Sequence, residues 1–104
     1  KYAFTEHAER NCLYDAARFG IQTQGLTMLC TWIACADCAR GIIQCGIHEV
    51  IALRHEKQNN RWDQSIYDGI AMLQEAGIKI TYFDQKLFEN NEVSLRFNEE
   101  IWHP

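Results

Sequence analysis

Three residues with metal-binding side chains and one carboxylate are spaced so that they could form a catalytic zinc site. His7 is followed two residues later by Glu9, and Cys35 and Cys38 form a Cys-x-x-Cys motif further along the chain. One imidazole and two thiolates would hold zinc and leave the fourth tetrahedral position to water, as in catalytic rather than structural zinc sites. Glu9 would then exchange protons with that water as a general acid and base without binding the metal.

Each fragment alone also has a simpler interpretation. A Cys-x-x-Cys motif can be a redox pair or half of a structural zinc site, and a single histidine near a helix start often lies at the surface. Cys12 or Cys45 could complete a closed site with four ligands, although both fall within helical patterns, where cysteine commonly packs as a small apolar group. The order of the fragments, each at a predicted helix start, favours the catalytic interpretation.

The first of these helices is predicted over residues 6–19. Thr5 is a suitable N-cap, and Gly20 is a suitable end, because glycine adopts the left-handed conformation that closes many helices. His7 and Glu9 would both lie in the first turn. Over an open helix N-terminus, both side chains can reach one point beyond the helix end.

A second helix is predicted over residues 36–45, ended by Gly46. It places the two cysteines of the motif three residues apart on one face, so both can bind the same ion. The N-terminal dipoles of the two helices would then favour the ionised thiols and a developing hydroxide.

The rest of the readable chain alternates between strands and helices. Ile66, Ile70 and Leu73 follow helical spacing up to Gly77, and residues 54–61 form a polar loop. Short apolar runs predict strands at residues 26–32, 48–53 and 78–83. Strands separated by helices of this length predict crossover connections and a largely parallel sheet, hence an α/β fold.

Length and composition favour one domain over residues 1–104, with residues 84–104 as a C-terminal arm that covers the core or a neighbouring subunit. The chain has 104 residues, 47% of them apolar, and no stretch predicts a membrane span or a secretion signal. Five cysteines, an odd number, suit a reducing compartment, so the cytoplasm is the expected location. The net charge of −4 makes nucleic acid an unlikely general partner.

Several segments together resemble the deoxycytidylate (dCMP) deaminase family of the zinc-dependent cytidine deaminase superfamily. They read HAERN at 7–11, YDAARFG at 14–20, CADCARGIIQCGI at 35–47, RWDQS at 61–65 and MLQEAGI at 72–78. The resemblance implies a three-layer α/β/α fold with a mixed, partly parallel five-stranded sheet. It also implies that a first helix and two strands, with part of the sugar and phosphate site, are absent from this sequence.

The resemblance further implies zinc as cofactor and hydrolytic deamination of dCMP to dUMP. It suggests a small deoxynucleotide substrate and a homo-oligomer, with a hexamer as one form and dCTP and dTTP as candidate effectors. One departure concerns the residue before the first cysteine of the motif. The family usually has proline there and this chain has Ala34, so we expect the metal to bind in a less rigid pocket.

Further candidate site residues also come from the resemblance. The backbone N–H of Ala8 matches the group that holds the pyrimidine carbonyl. Trp32 follows Thr31 as in polynucleotide cytidine deaminases, where the tryptophan lines the pocket, although a core position is as reasonable. Asn11 is a candidate because it follows Glu9 by two residues, and it is expected to hydrogen-bond the loop that shapes the site. Arg18 matches a position linked to subunit contacts and nucleotide regulation, with a surface salt bridge as the alternative.

The loop at 54–61 contributes the last candidates. In the superfamily this loop passes near the pocket and helps select the substrate, so its basic side chains are expected to contact the nucleotide, unless they form a solvated surface. The substrate-binding candidates among them are Arg54, Lys57 and Arg61, with His55 on the same loop.

Three functions remain open from the sequence. The net negative charge and the series of segments that resemble the dCMP deaminase family favour a mononucleotide deaminase. Thr31 and Trp32 would suit a deaminase of single-stranded polynucleotide or of another cytosine or purine compound, but this class normally has a basic, aromatic groove. A catalytically silent zinc-binding structural or regulatory module would explain Ala34.

Overall fold

The computed structural model describes residues 4–59 and 61–83 in full and the backbone of 95–97 and 100–102. The helices are α1 (Ala8–Phe19), α2 (Ala36–Gln44) and α3 (Trp62–Glu75). The strands are β1 (Thr27–Trp32), β2 (Glu49–Leu53), β3 (Lys79–Phe83), β4 (Leu95–Phe97) and β5 (Glu100–Trp102). The predicted alternation of helices and strands is therefore confirmed for the part described.

Strands β1, β2 and β3 form one sheet in that order, and every pair is parallel. Met28, Val50 and Ile80 lie side by side across it. Because strand-helix-strand connections are right-handed, α2 and α3 cover the same face of the sheet, where they pack against each other. Strands β4 and β5 form a separate antiparallel pair. The sheet observed among the described residues thus has three parallel strands of the predicted five.

The core lies between this sheet and its covering helices. Ile42, Val50, Leu73 and Cys38 have side chains that are fully buried there. The register between β1 and β2 shifts between Leu29 and Trp32, near the end of β1. Burial of Cys38 in the core gives the metal-binding motif a rigid base.

The start of α1 corrects one prediction. The helix begins at Ala8, with His7 rather than Thr5 as its N-cap residue. His7 is extended, with φ −72° and ψ 145°, and its backbone N–H donates to the Glu6 carboxylate at 3.0 Å. Glu6 therefore lies outside the helix, whereas Glu9 stays in its first turn.

The other helix ends agree with the predictions to within a residue or two. Gly20 is left-handed with φ 72°, and the next N–H, that of Ile21, donates to Ala16 at 2.8 Å, so α1 ends as predicted. Helix α2 ends at Gln44 rather than residue 45. No helix among the fully described ranges is long and apolar enough to cross a membrane. The proposed arm at 84–104 falls largely outside the described residues.

Candidate zinc centre and substrate cavity

The two helix starts converge on one point, as the sequence predicts. Nδ1 of His7 lies 3.4 Å from Sγ of Cys35 and 3.4 Å from Sγ of Cys38. All three donor atoms lie within 4.8 Å of one another. With zinc–sulfur distances of about 2.3 Å and zinc–nitrogen distances of about 2.0 Å, tetrahedral coordination places nitrogen and sulfur about 3.5 Å apart. The donor set and its spacing therefore fit zinc.

The three ligands lie at or near the starts of two helices, and each helix start is determined by nearby residues. His7 precedes α1, and Cys35 occupies the corresponding N-cap position of α2, with φ −71° and ψ 174°. Cys38 follows one turn into α2 and is fully buried, whereas Cys35 is 7% exposed. The rigid ligand is thus Cys38, and the cavity side of the cluster is formed by His7 and Cys35.

The electrostatics of the two cysteines favour one thiolate, on Cys35, with the proton kept on Cys38. The hydrogen bond between their side chains lowers the pKa of Cys35. The same bond, burial and the charge of Cys35 raise the pKa of Cys38. A divalent cation would displace that proton, because the metal binds both sulfurs as thiolates.

Glu9 stands beside the cluster without belonging to it. Its Oε2 lies 3.7 Å from Sγ of Cys38, within reach of the Cys38 thiol as donor. Within residues 4–59 and 61–83, the potential metal-binding group contains only His7, Cys35 and Cys38. Cys12 and Cys45, considered above as a fourth ligand, are therefore not part of it. These three residues would hold a zinc ion and leave its fourth ligand to be a water molecule, with the Glu9 carboxylate next to the cluster.

Contacts around the ligands hold both helix starts in place. The ring of His7 meets the ring of Trp62 edge to face, with centroids 5.6 Å apart. Arg10 on α1 pairs with Glu6 at 2.7 Å and lies 3.9 Å from Asp37 on α2, so it links the two helix starts. These contacts orient the imidazole toward the cysteines.

Helix α3 supports the turn that carries Cys35. The backbone N–H of Ala36 donates to Oγ of Ser65 at 3.1 Å. One turn later, Gly69 packs directly against the backbone of Ala34 and Cys35. Neither Ser65 nor Gly69 is among the site residues predicted from the sequence. The signal available for Gly69 was a glycine in the middle of a helix, which often marks a close approach.

Two cavities open beside His7 and Glu9. The larger, of about 670 Å³, lies between the start of α1 and the end of β1 and includes Ala8, Trp32 and Phe83 in its wall. The smaller, of about 280 Å³, also includes Cys35 and residues of the 54–61 loop. Trp32 borders both, so the structure places it at the candidate site rather than only in the core.

The other predicted site residues are placed less closely. Asn11 is exposed and lines a separate groove between α1 and β1. Arg18, at the far end of α1, stacks on Phe19 with its guanidinium 5.5 Å from the ring centroid. Neither residue borders the two cavities beside Glu9.

The predicted basic side chains of the loop are also directed elsewhere. Arg54 lies 4.0 Å above the ring of Tyr82, and Arg61 lies 5.0 Å from the ring of Trp62. Lys57 is exposed. The loop residues that line the smaller cavity are instead His55, Glu56 and Gln58.

Comparison with known proteins agrees with this geometry. Residues 1–54, just over half of the chain, match the family model described as the cytidine and deoxycytidylate deaminase zinc-binding region. The metal suited to the cluster is therefore zinc.

Individual relatives support the same family. The chain is 34% identical to the deoxycytidylate deaminase of Enterobacteria phage T2 over 85 residues, which cover 81% of this chain and 42% of that protein. It is 36% identical to the phage T4 deoxycytidylate deaminase over 75 residues, or 71% of this chain and 35% of that protein. The chain thus spans about two fifths or less of these relatives.

A solved structure has the same fold. The crystal structure of dCMP deaminase from the cyanophage S-TIM5 in complex with dCMP and dUMP matches 77% of this chain and 53% of that one, with a TM-score of 0.64 and 30% identity. The α/β architecture, the zinc-type ligand set and the matched model agree, and the chain belongs to the cytidine and deoxycytidylate deaminase family.

Proposed function

We propose that the protein deaminates dCMP to dUMP by hydrolysis, with zinc held by His7, Cys35 and Cys38. The observation that carries this proposal is the placement of the Glu9 carboxylate 3.7 Å from one thiol of a cluster with three metal-binding side chains. The substrate assignment is supported by the phage relatives named deoxycytidylate deaminase and by the cyanophage structure with dCMP and dUMP.

The chemistry requires water to become a nucleophile near neutral pH. Zinc, when bound, supplies the Lewis acidity that lowers the pKa of a bound water to about 7. Glu9 takes the proton of the water as its oxygen bonds to C4 of cytosine, and gives that proton to ring N3. Glu9 then transfers the remaining hydroxyl proton to the amino group, the C4–N bond breaks, and ammonia leaves uracil behind.

The first turn of α1 can also hold the base. Ala8 is the first helical residue, and N–H groups at this position have no acceptor within the helix. Because Ala8 and Trp32 both border the larger cavity, the Ala8 N–H is a suitable donor to the pyrimidine carbonyl, with Trp32 as an apolar wall. A base inside a duplex could not enter, so the substrate is a free nucleotide or an unpaired base.

The proposal is tested by ammonia release from dCMP, cytidine and single-stranded DNA. A dCMP deaminase turns over dCMP far faster than the other two, a polynucleotide deaminase prefers DNA, and a silent zinc module releases no ammonia. Glu9→Gln should keep the zinc and lower kcat by at least about a hundredfold, the lower end of general acid–base contributions. Normal turnover by Glu9→Gln would show that a group other than Glu9 transfers the protons.

Recognition of the phosphate remains a separate proposal. Arg54, Lys57 and Arg61 carry the positive charge of the 54–61 loop outside the lining of the smaller cavity, and the two arginines stack on aromatic rings. Neutralising these three residues should raise KM for dCMP more than for deoxycytidine, because only dCMP carries a phosphate. An equal rise in KM for both substrates would show that these loop residues do not bind the phosphate.

We also propose a homo-oligomer in the cytoplasm. Large apolar side chains of α1 and β1 are exposed, among them Phe19 at 70% and Leu29 at 68%, which supports further contacts on this side. The five cysteines, none of them in a disulfide, suit a reducing compartment. Sedimentation of the zinc-loaded protein tests the assembly. A hexamer stays a prediction, and so does regulation by dCTP and dTTP.

A further inference from the structure

A buried histidine–aspartate pair lies at the smaller cavity, and its histidine, His55, forms part of the cavity wall. Nε2 of His55 lies 2.7 Å from Oδ1 of Asp63, and the two side chains are only 8% and 12% exposed. The same oxygen accepts the backbone N–H of Gln58 at 3.0 Å. The ring of His55 also meets the ring of Tyr67 edge to face, with centroids 5.4 Å apart. Asp63 therefore fixes both the histidine ring and the loop that carries it.

The carboxylate also determines which nitrogen of His55 carries a proton in the neutral ring. Because Asp63 accepts from Nε2–H, Nδ1 keeps its lone pair and is an acceptor. Within the fully described ranges, Nδ1 has no hydrogen-bond partner. Among the described residues, Nδ1 is not one of the fully buried atoms that lack a partner, so a ligand in the cavity can reach it and donate to it.

The neighbouring charges indicate what kind of group that ligand presents. His55 shares the smaller cavity with Glu9 and Glu56, and Asp63 lies behind it. Three carboxylates at or beside the cavity disfavour a phosphate inside it and favour a hydrogen-bond donor there, because the basic residues Arg54, Lys57 and Arg61 do not line it. The cavity also includes His7 and Cys35, so a donor bound there belongs to the molecule that reacts at the metal.

We infer that His55 binds a hydrogen-bond donor of the nucleotide substrate through Nδ1, with Asp63 as the residue that positions it. This inference rests on the proposed function. Two groups of dCMP have the required chemistry, namely the sugar 3′-hydroxyl and the cytosine amino group. His55 thus contributes to substrate selection, whereas Glu9 carries the proton transfers.

The test is steady-state kinetics of the zinc-loaded protein with dCMP and with its 2′,3′-dideoxy analogue. His55→Gln can direct an amide N–H to Asp63 but leaves no acceptor at the position of Nδ1, and it should raise KM for dCMP about tenfold with unchanged zinc content. His55→Asn places an amide oxygen near the position of Nδ1 and should recover most of that loss. Gln64→Ala, on the exposed side of α3, is the control and should leave KM unchanged.

The two nucleotides identify the donor. If His55 binds the 3′-hydroxyl, the wild type has a higher KM for the dideoxy analogue than for dCMP. His55→Gln then does not raise the KM for the dideoxy analogue any further. If the amino group is bound, His55→Gln loses equally with both nucleotides. An unchanged KM for dCMP in His55→Gln overturns the inference. It is also overturned if His55→Gln and His55→Asn raise KM equally and both lower the melting temperature, because His55 then has only a structural role. Absence of dCMP turnover in the wild type overturns the proposed function, and this inference with it.

Discussion

Gly69 of α3 lies so close to Ala34 that a Cβ built on the glycine would be 2.7 Å from the Ala34 carbonyl oxygen. The same Cβ would be 2.9 Å from the carbonyl carbon of Cys35. Together with the hydrogen bond from Ala36 to Ser65, this contact fixes the backbone on both sides of Cys35. The ligand turn, which has Ala34 where the family usually has proline, is thus held by tertiary packing against α3.

Replacing Gly69 should therefore disturb the metal site through the backbone. We expect Gly69→Ala to lower the free energy of unfolding by about 1–3 kcal/mol, as for overpacking in a core, and to weaken zinc binding in competition with a chelator. Gly41→Ala in α2 is the matched control, because its Cβ would be 3.4 Å from Leu13, an ordinary contact. Equal zinc affinity in both variants would show that Gly69 does not position Cys35.

One zinc should bind per chain, and Cys38 should be indispensable for it. Cys38→Ala removes a fully buried ligand, so metal analysis should find little zinc and the melting temperature should fall. Cobalt substitution should give a thiolate charge-transfer band in the wild type that is weakened in this variant. Cys12→Ala, outside the cluster, should retain both metal and band, and loss of zinc there would contradict the assigned ligand set.

The thiols outside the cluster should differ in reactivity. Burial, with smaller effects of Glu9 and Cys12, raises the pKa of Cys30 to about 12, whereas Cys12 is exposed. Because the thiolate is the nucleophile, a thiol-alkylating reagent at about pH 8 should modify Cys12 much faster than Cys30. Mass spectrometry of the zinc-loaded protein measures both rates, and faster labelling of Cys30 would be incompatible with its burial.

A carboxylate between two strands should make stability depend on pH. The Thr81 hydroxyl donates to Glu49 at 2.6 Å and, with a smaller effect of Lys79, lowers the pKa of Glu49. A lowered folded-state pKa gives stability that is present above the unfolded-state pKa and lost as pH falls through the folded-state value. Thr81→Val should therefore lower the melting temperature more near neutral pH than in acid, and an equal loss at both would exclude this linkage.

Much of this protein could be predicted from local features of the sequence. The identities of His7, Cys35 and Cys38 define a zinc-type ligand set, since ligand chemistry belongs to the side chains themselves. Hydrophobic periodicity and glycine positions determine where most helices and strands run, because these signals act over a few residues. The helix ended by Gly20 is an example.

Only the tertiary structure decided how these elements meet. His7, whose Nδ1 lies 3.4 Å from both thiols of the metal-binding motif, is the N-cap residue of α1, which the capping signal at Thr5 did not predict. The close approach of Gly69 and the pairing of His55 with Asp63 join the 34–35 turn and the 54–61 loop to α3. Such contacts depend on packing between distant segments and leave no periodic trace in the sequence. The convergence of His7 with the cysteines, 28 and 31 residues apart along the chain, likewise requires the folded arrangement of α1 and α2.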